Sequence, residues 1–175
     1  MGPARHLLIA LCLAPLLAAA QTPYGDWYVG RDDAGAPYMF TMNQSDGIFG
    51  KWCDNDTEKC FWMLAVKTRC DAGATIPVLI SSNLGAASTT LICSSPKLIS
   101  GATYHRMIIA DFNLMTRLAR ESTGQIGIAM AMEGGAFRVS RFSLHGSSQA
   151  LTQMEQAEAD TVRAKRSKGT RDTEI

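Results

Sequence analysis

The chain of 175 residues carries 17 Lys and Arg against 16 Asp and Glu, a formal charge of +1, and 46% of its residues are hydrophobic. A balance this close to neutral excludes the basic footprint of a nucleic-acid or anionic-membrane binder, and the apolar content excludes a disordered chain.

The first 20 residues have the anatomy of an export leader. Arg5 supplies a positive n-region, Leu7 to Leu17 an apolar run, and Leu17-Ala18-Ala19-Ala20 small residues for cleavage. The run is shorter than the ~20 residues a spanning helix needs, so no integral membrane segment is expected after cleavage. Cys12 lies inside the apolar run after Leu11, where lipid attachment would need a small residue. Cleavage after Ala20 leaves 155 residues (175 less 20) and, with Arg5 gone, a formal charge of about zero.

Strands dominate the chain beyond the leader. Gly25 to Val29 is the first of them, with Trp27 directed inward, Arg31 to Pro37 turns the chain, and Tyr38 to Met42 is a run of good β-formers. Ser45-Asp46-Gly47 is a tight turn in which Gly47 takes the positive φ. Ile48 to Cys53 and Cys60 to Lys67 flank a polar tip, Asp54 to Lys59, as a hairpin. Thr75 to Ser82 is a strand whose Pro77 calls for an edge or a bulge, and Ser88 to Cys93 returns beside it. A loop spans Ser94 to Ala102, and Tyr104 to Ala110 is strand-like.

Two helical patterns break this rhythm. Asp111 caps a helix over Phe112 to Glu121, with Leu114, Met115 and Leu118 on one face. Gln125 to Met132 alternates, Glu133-Gly134-Gly135 turns, and Phe137 to Leu144 is expected to present one apolar face. Ser147 or Ser148 starts a closing helix near Gln149 with Ala150, Leu151 and Met154 as its stripe, while His145 helps to cap it. The expectation is one mainly β domain over residues 21–153, a disulfide-stapled β-sandwich or barrel with one short internal helix and a C-terminal helix. Residues 154–175 are expected to be a polar helical extension and a charged tail, the tail either disordered or a frayed continuation of the helix.

Five cysteines are present, and four (Cys53, Cys60, Cys70 and Cys93) come after the leader. An even count in an exported chain reads as two disulfides in an oxidising compartment, periplasm rather than eukaryotic secretion given the short leader. Their spacing contains no C-x-x-C knuckle, which argues against zinc. Loop entropy assigns about 2.5 and 3.5 kcal/mol to the sequential bridges Cys53–Cys60 and Cys70–Cys93, against about 7 in total for the crossed pairing. That difference is smaller than the strain of a poor geometry. Hairpin geometry favours the sequential pairing, with the crossed one as its rival.

Catalytic patterns are weak. After the leader the histidines are His105 and His145, no G-x-S-x-G elbow accompanies them, and nothing in the spacing selects a carboxylate pair. The tip has acids at alternate positions, Asp54, Asp56 and Glu58, but Lys59 stands where a calcium loop needs glycine. No phosphate-binding glycine loop is present, so no cofactor or metal is expected. The aromatic residues Trp27, Tyr28, Tyr38, Phe40, Trp52, Phe61 and Trp62 concentrate in the first half. Phe61 and Trp62 are adjacent and so face opposite sides of a strand, with one exposed unless both sheet faces are covered. The tip acids Asp54, Asp56 and Glu58 with Phe61 and Trp62 form the candidate contact surface.

Gly25-Asp26-Trp27, the cysteine-bearing β core, the Leu114/Leu118 helix, the alternating hairpin and Ser143-Leu144-His145-Gly146 followed by Ala150-Leu151 give an order that resembles the invasion-associated locus B proteins. The resemblance reaches to about Gln153. It departs where family members often carry a cysteine soon after the opening tryptophan, since this chain has Arg31 and no cysteine there. The resemblance implies a non-enzymatic β-sandwich protein of the Gram-negative envelope or surface, linked with invasion, with another protein as partner and no catalytic residues. The alternative is a periplasmic inhibitor or immunity protein that blocks a lytic enzyme with the Cys53–Cys60 tip.

Overall fold

The computed structural model describes residues 21–99, 101–132 and 135–169. The leader expected over residues 1–20, the Glu133-Gly134 part of the predicted turn and the tail from Thr170 lie outside them.

The strands are β1 (Thr22–Tyr24), β2 (Trp27–Arg31), β3 (Pro37–Met42), β4 (Ile48–Cys53), β5 (Cys60–Val66), β6 (Thr75–Ser82), β7 (Gly85–Cys93), β8 (Lys97–Ile99), β9 (Ala102–Ile109), β10 (Gln125–Ala131) and β11 (Phe137–Ser143). Helix α1 (Phe112–Glu121) lies between β9 and β10, and α2 (Ser147–Gly169) closes the chain. All pairings are antiparallel, in the order β1-β2-β3-β4-β5-β9-β7-β6-β10-β11, with β8 added beside β9.

This single sheet curls until its two ends meet. The indole Nε1 of Trp27 on β2 donates to the carbonyl of Ser143 at 2.9 Å, and the amide of Asp26 donates to the carbonyl of His145 at 3.0 Å. Phe49 of β4 meets Phe142 of β11 with ring centroids 5.4 Å apart. The inward residues of both halves therefore form one sandwich-like core: Trp27, Met39, Phe49, Trp62 and Leu64 from one side, Ile80, Leu91, Met107, Ile126, Ile128 and Phe142 from the other. Leu114, Met115 and Leu118 of α1 and Leu151 and Met154 of α2 complete it.

Local chemistry explains both helix starts. Asp111 Oδ1 accepts the Leu114 amide at 2.8 Å, the capping bond expected from the sequence. Ser147 opens α2, and its buried hydroxyl reaches the carbonyls of Leu144 (2.9 Å) and Ala119 (2.6 Å), tying the second helix to the end of the first. His145 is exposed, and its contribution is the backbone carbonyl that holds Asp26 rather than a helix cap.

Several sequence expectations require correction. Gly25-Asp26 is a turn and not part of the strand, with Gly25 at φ 56°. In the β3–β4 turn Asp46, not Gly47, has the positive φ (58°), because Asn43 Oδ1 accepts the amides of both Ser45 and Gly47 and closes the loop around it. Strand β6 is interior, between β7 and β10. Its ladder with β10 ends at Val78, so Pro77 falls where the strand is paired on one side only. A short β8 occupies part of the expected 94–102 loop. Strand β11 does not present one apolar face: Ser140 and Phe142 point inward, while Phe137 is 72% and Val139 41% exposed. The pairs Ile126↔Phe142 and Ile128↔Ser140 set that register, and the period of two sends the other apolar residues outward.

The polar extension past Met154 is helical through Gly169, which takes in residues 163–169 of the charged stretch. It is held by polar contacts. Arg31 donates to the carbonyl of Ala157 at 3.0 Å and to the hydroxyl of Thr161 at 2.8 Å, and Lys165 pairs with Glu58 at 3.3 Å.

Candidate functional site

Cys53 and Cys60 face each other across β4 and β5 as a register pair, bonded, with Cα atoms 3.9 Å apart. Cys70 and Cys93 form the second bridge at a Cα separation of 6.1 Å, so the pairing is the sequential one. The sulfurs of Cys53 and Cys60 lie with a carboxylate oxygen of Glu158 within 4.8 Å of one another, but in a disulfide they are not thiolate ligands.

The tip between the first two cysteines is tied from inside. Asp54 Oδ1 accepts from the Thr57 amide (2.8 Å), the Thr57 hydroxyl (3.0 Å) and the Asp56 amide (3.0 Å). The Thr57 bonds hold the Asp54 carboxyl below its ordinary range. Glu58 adopts φ 55° and pairs with Lys165 of α2, whose ammonium also donates to the carbonyl of Asn55. Asn55 in turn donates to the carbonyl of Ala34 in the β2–β3 turn. Of the three acids predicted to make contacts, two are therefore engaged within the molecule, and Asp56 is left with an exposed carboxylate.

The aromatic residues divide by strand parity. Trp62 is fully buried: its ring lies 5.4 Å from Phe49 and 6.4 Å from Trp27, and its Nε1 donates to the Thr116 hydroxyl of α1 at 3.0 Å. This corrects its assignment to the contact surface, because α1 covers the inner face of β5. Phe61 points the other way and is half-buried.

Phe61 is not isolated there. Direct register pairs place Tyr38, Trp52 and Phe61 in one row across β3, β4 and β5, and Tyr28 opposite Phe40 across β2 and β3. Tyr28 stacks on Phe40 at 5.5 Å, and Phe40 lies 6.0 Å from Tyr38. A Cβ on Gly30 would come within 2.9 Å of the Tyr38 ring, so that ring lies down over the glycine. Phe40 and Trp52 also pack beside Ile48, Ala65 and Tyr104, a second apolar cluster on this outer face, edged by Ile99 and Ala102 of the β8–β9 hairpin. Sequence reasoning gathered these aromatics in one half of the chain but did not separate the inward from the outward set. The alternation Trp27/Tyr28 and Phe61/Trp62 was the available signal.

The disulfide sits immediately beside this row. Trp52↔Phe61 and Cys53↔Cys60 are consecutive pairs of the same ladder, so the bridge pins the strand register that sets the two rings side by side. Beneath, on the inner face, Lys51 is buried, with its ammonium 3.3 Å from Glu158 of α2 and 5.4 Å from the centre of the Phe112 ring. Nothing in the sequence marked Lys51, since a lysine between Gly50 and Trp52 reads as a solvated position. His105 accepts the Cys70 amide at Nδ1 (3.4 Å), and Asp111 uses its carboxylate to cap α1. What this site offers chemically is therefore contact area held in a fixed geometry.

No family model and no curated protein matches this sequence. Among solved structures, the crystal structure of invasion associated protein B from Bartonella henselae is similar, with a TM-score of 0.56 over 81% of this chain and 99% of that one. At 16% identity, that likeness establishes the fold.

Proposed function

We propose that this chain is a non-enzymatic, exported binding or accessory protein of the bacterial envelope, related to the invasion-associated proteins. Its contact surface would be the outward aromatic row Tyr38, Trp52 and Phe61. The observation that carries the reading is the adjacency of that row to the Cys53–Cys60 bridge. Partly exposed aromatics supply contact area at low entropic cost, and a disulfide beside them removes freedom that binding would otherwise have to remove. The fold-level likeness to an invasion-associated protein supports the same reading. Two disulfides in one small domain fit an oxidising compartment, periplasmic or extracellular.

The test is capture from envelope extract with the purified protein as bait. Trp52→Ala and Phe61→Ala should each weaken capture of a stoichiometric partner by about tenfold or more, measured at a temperature where circular dichroism shows the variant still folded. Unchanged capture by both variants would remove the aromatic row from consideration.

A second reading, inhibition of a lytic enzyme, is favoured by the tip itself: Asp56 stands on a loop braced by Asp54, Ala34 and Lys165. Replacing Asp56 and Glu58 by serine separates the two readings, because it should abolish inhibition and leave capture through the aromatic row intact.

A further inference from the structure

The curl of the sheet leaves an open cleft of about 670 Å³ where β11 comes round to β2 and the β3–β4 turn. Its size is that of a small-molecule site. Tyr28, Met42 and Val139 give it apolar patches, while Asp26, Gln125 and Arg141 bring polar groups to the same opening. Among the described residues Arg141 makes no ion pair or side-chain hydrogen bond, and Gln125 makes no side-chain bond. Asp26 accepts the Ser143 hydroxyl on Oδ2 at 2.5 Å, which orients the carboxylate and leaves its other oxygen available. Tyr28 is 40% exposed and is held in place by stacking on Phe40.

We propose that this cleft is a binding site for an oligosaccharide. The lining selects that class by its mixture. A phosphate or a nucleic acid would need several cations, and here a single guanidinium is accompanied by a carboxylate. A lipid tail would not be matched by an arginine, an aspartate and amides. Sugar hydroxyls both donate and accept, so they can use a guanidinium, an amide and a carboxylate oxygen together, and the C–H face of a pyranose fits a fixed aromatic ring. Phe40 leads from Tyr28 to Tyr38, so the cleft opens onto further aromatic surface, which favours a chain of sugars over a single one.

The experiment is titration of the purified protein with a β-1,4-linked N-acetylglucosamine tetramer and, separately, with maltotetraose, monitored by calorimetry and by amide chemical shifts. At least one of the two tetrasaccharides should bind saturably, with shifts centred on Tyr28, Gln125 and Arg141. Arg141→Ala and Gln125→Ala should each weaken that binding by about tenfold, at unchanged melting temperature. Absence of saturable binding to both sugars up to about 10 mM would overturn the proposal. So would binding that Arg141→Ala leaves unchanged, or shifts that fall elsewhere. The Trp52→Ala and Phe61→Ala variants test the protein-contact reading without altering Arg141 or Gln125, so each proposal can fail alone.

Discussion

At the scale of single residues, Asp54 and Gly146 show two ways in which local chemistry sets the fold. The Asp54 carboxyl is held below its usual range chiefly by the Thr57 amide and hydroxyl. Because the folded state has the lower value, protonation favours the unfolded chain. The contribution is complete above the ordinary carboxylate value near pH 4 and is lost as pH falls through the depressed one. Acid titration monitored at the Asp54 carboxyl resonance should show a midpoint below that of an ordinary aspartate and a loosening of the tip amides of Asp56 and Thr57 together with it. Asp54→Asn, which keeps an acceptor oxygen, should preserve those amide shifts better than Asp54→Ala. Gly146 has φ 87°, and a Cβ there would lie 2.0 Å from the Tyr24 carbonyl. Gly146→Ala is therefore expected to destabilise by about 2 kcal/mol or more, measured by denaturant unfolding.

At the scale of elements, α2 is the part most changed by tertiary context. Past Met154 its sequence has no apolar stripe, and periodicity alone gives it no reason to dock. It docks because other elements present charged and polar groups to it: Arg31 from β2, Lys51 from β4 and Glu58 from the tip. Lys51 is the buried member of that contact, a cation whose partner Glu158 is 36% exposed. Glu158→Ala should cost about 1–3 kcal/mol by leaving the ammonium unpaired, whereas the double variant Lys51→Met/Glu158→Leu should recover most of it. A double-mutant cycle in urea measures both terms, and a cost-free Glu158→Ala would show that water already satisfies Lys51. The same element-scale logic explains Trp62, whose exposure depended on whether anything covered the inner face of β5; Thr116 of α1 does.

For the whole molecule, the two bridges divide the work. Cys53–Cys60 closes a short loop next to the aromatic row, and Cys70–Cys93 closes a longer one within the second half of the sheet. Loop entropy predicts that Cys70→Ser/Cys93→Ser costs more stability than Cys53→Ser/Cys60→Ser, about 3.5 against 2.5 kcal/mol. Partner capture should show the opposite order, since the shorter bridge fixes Trp52 against Phe61. Chemical denaturation and capture on the same two variants would check both, and equal loss of capture would contradict the assignment.

Much of this architecture was legible in the chain alone. The mainly β class, the sequential disulfides, the Asp111 cap and the Leu114/Met115/Leu118 face of α1 follow from period, capping and hairpin geometry, which act along neighbouring stretches of the chain. Features that depended on distant parts of the chain were decided only by the folded sheet. The inversion of β11, with Phe137 and Val139 outside, comes from its register with β10, and a shift by one residue would exchange the faces. The burial of Lys51 depends on a helix more than a hundred residues later. The cleft beside Arg141 exists because the two ends of the sheet approach one another, and strand patterns carry no record of how far a sheet will curl.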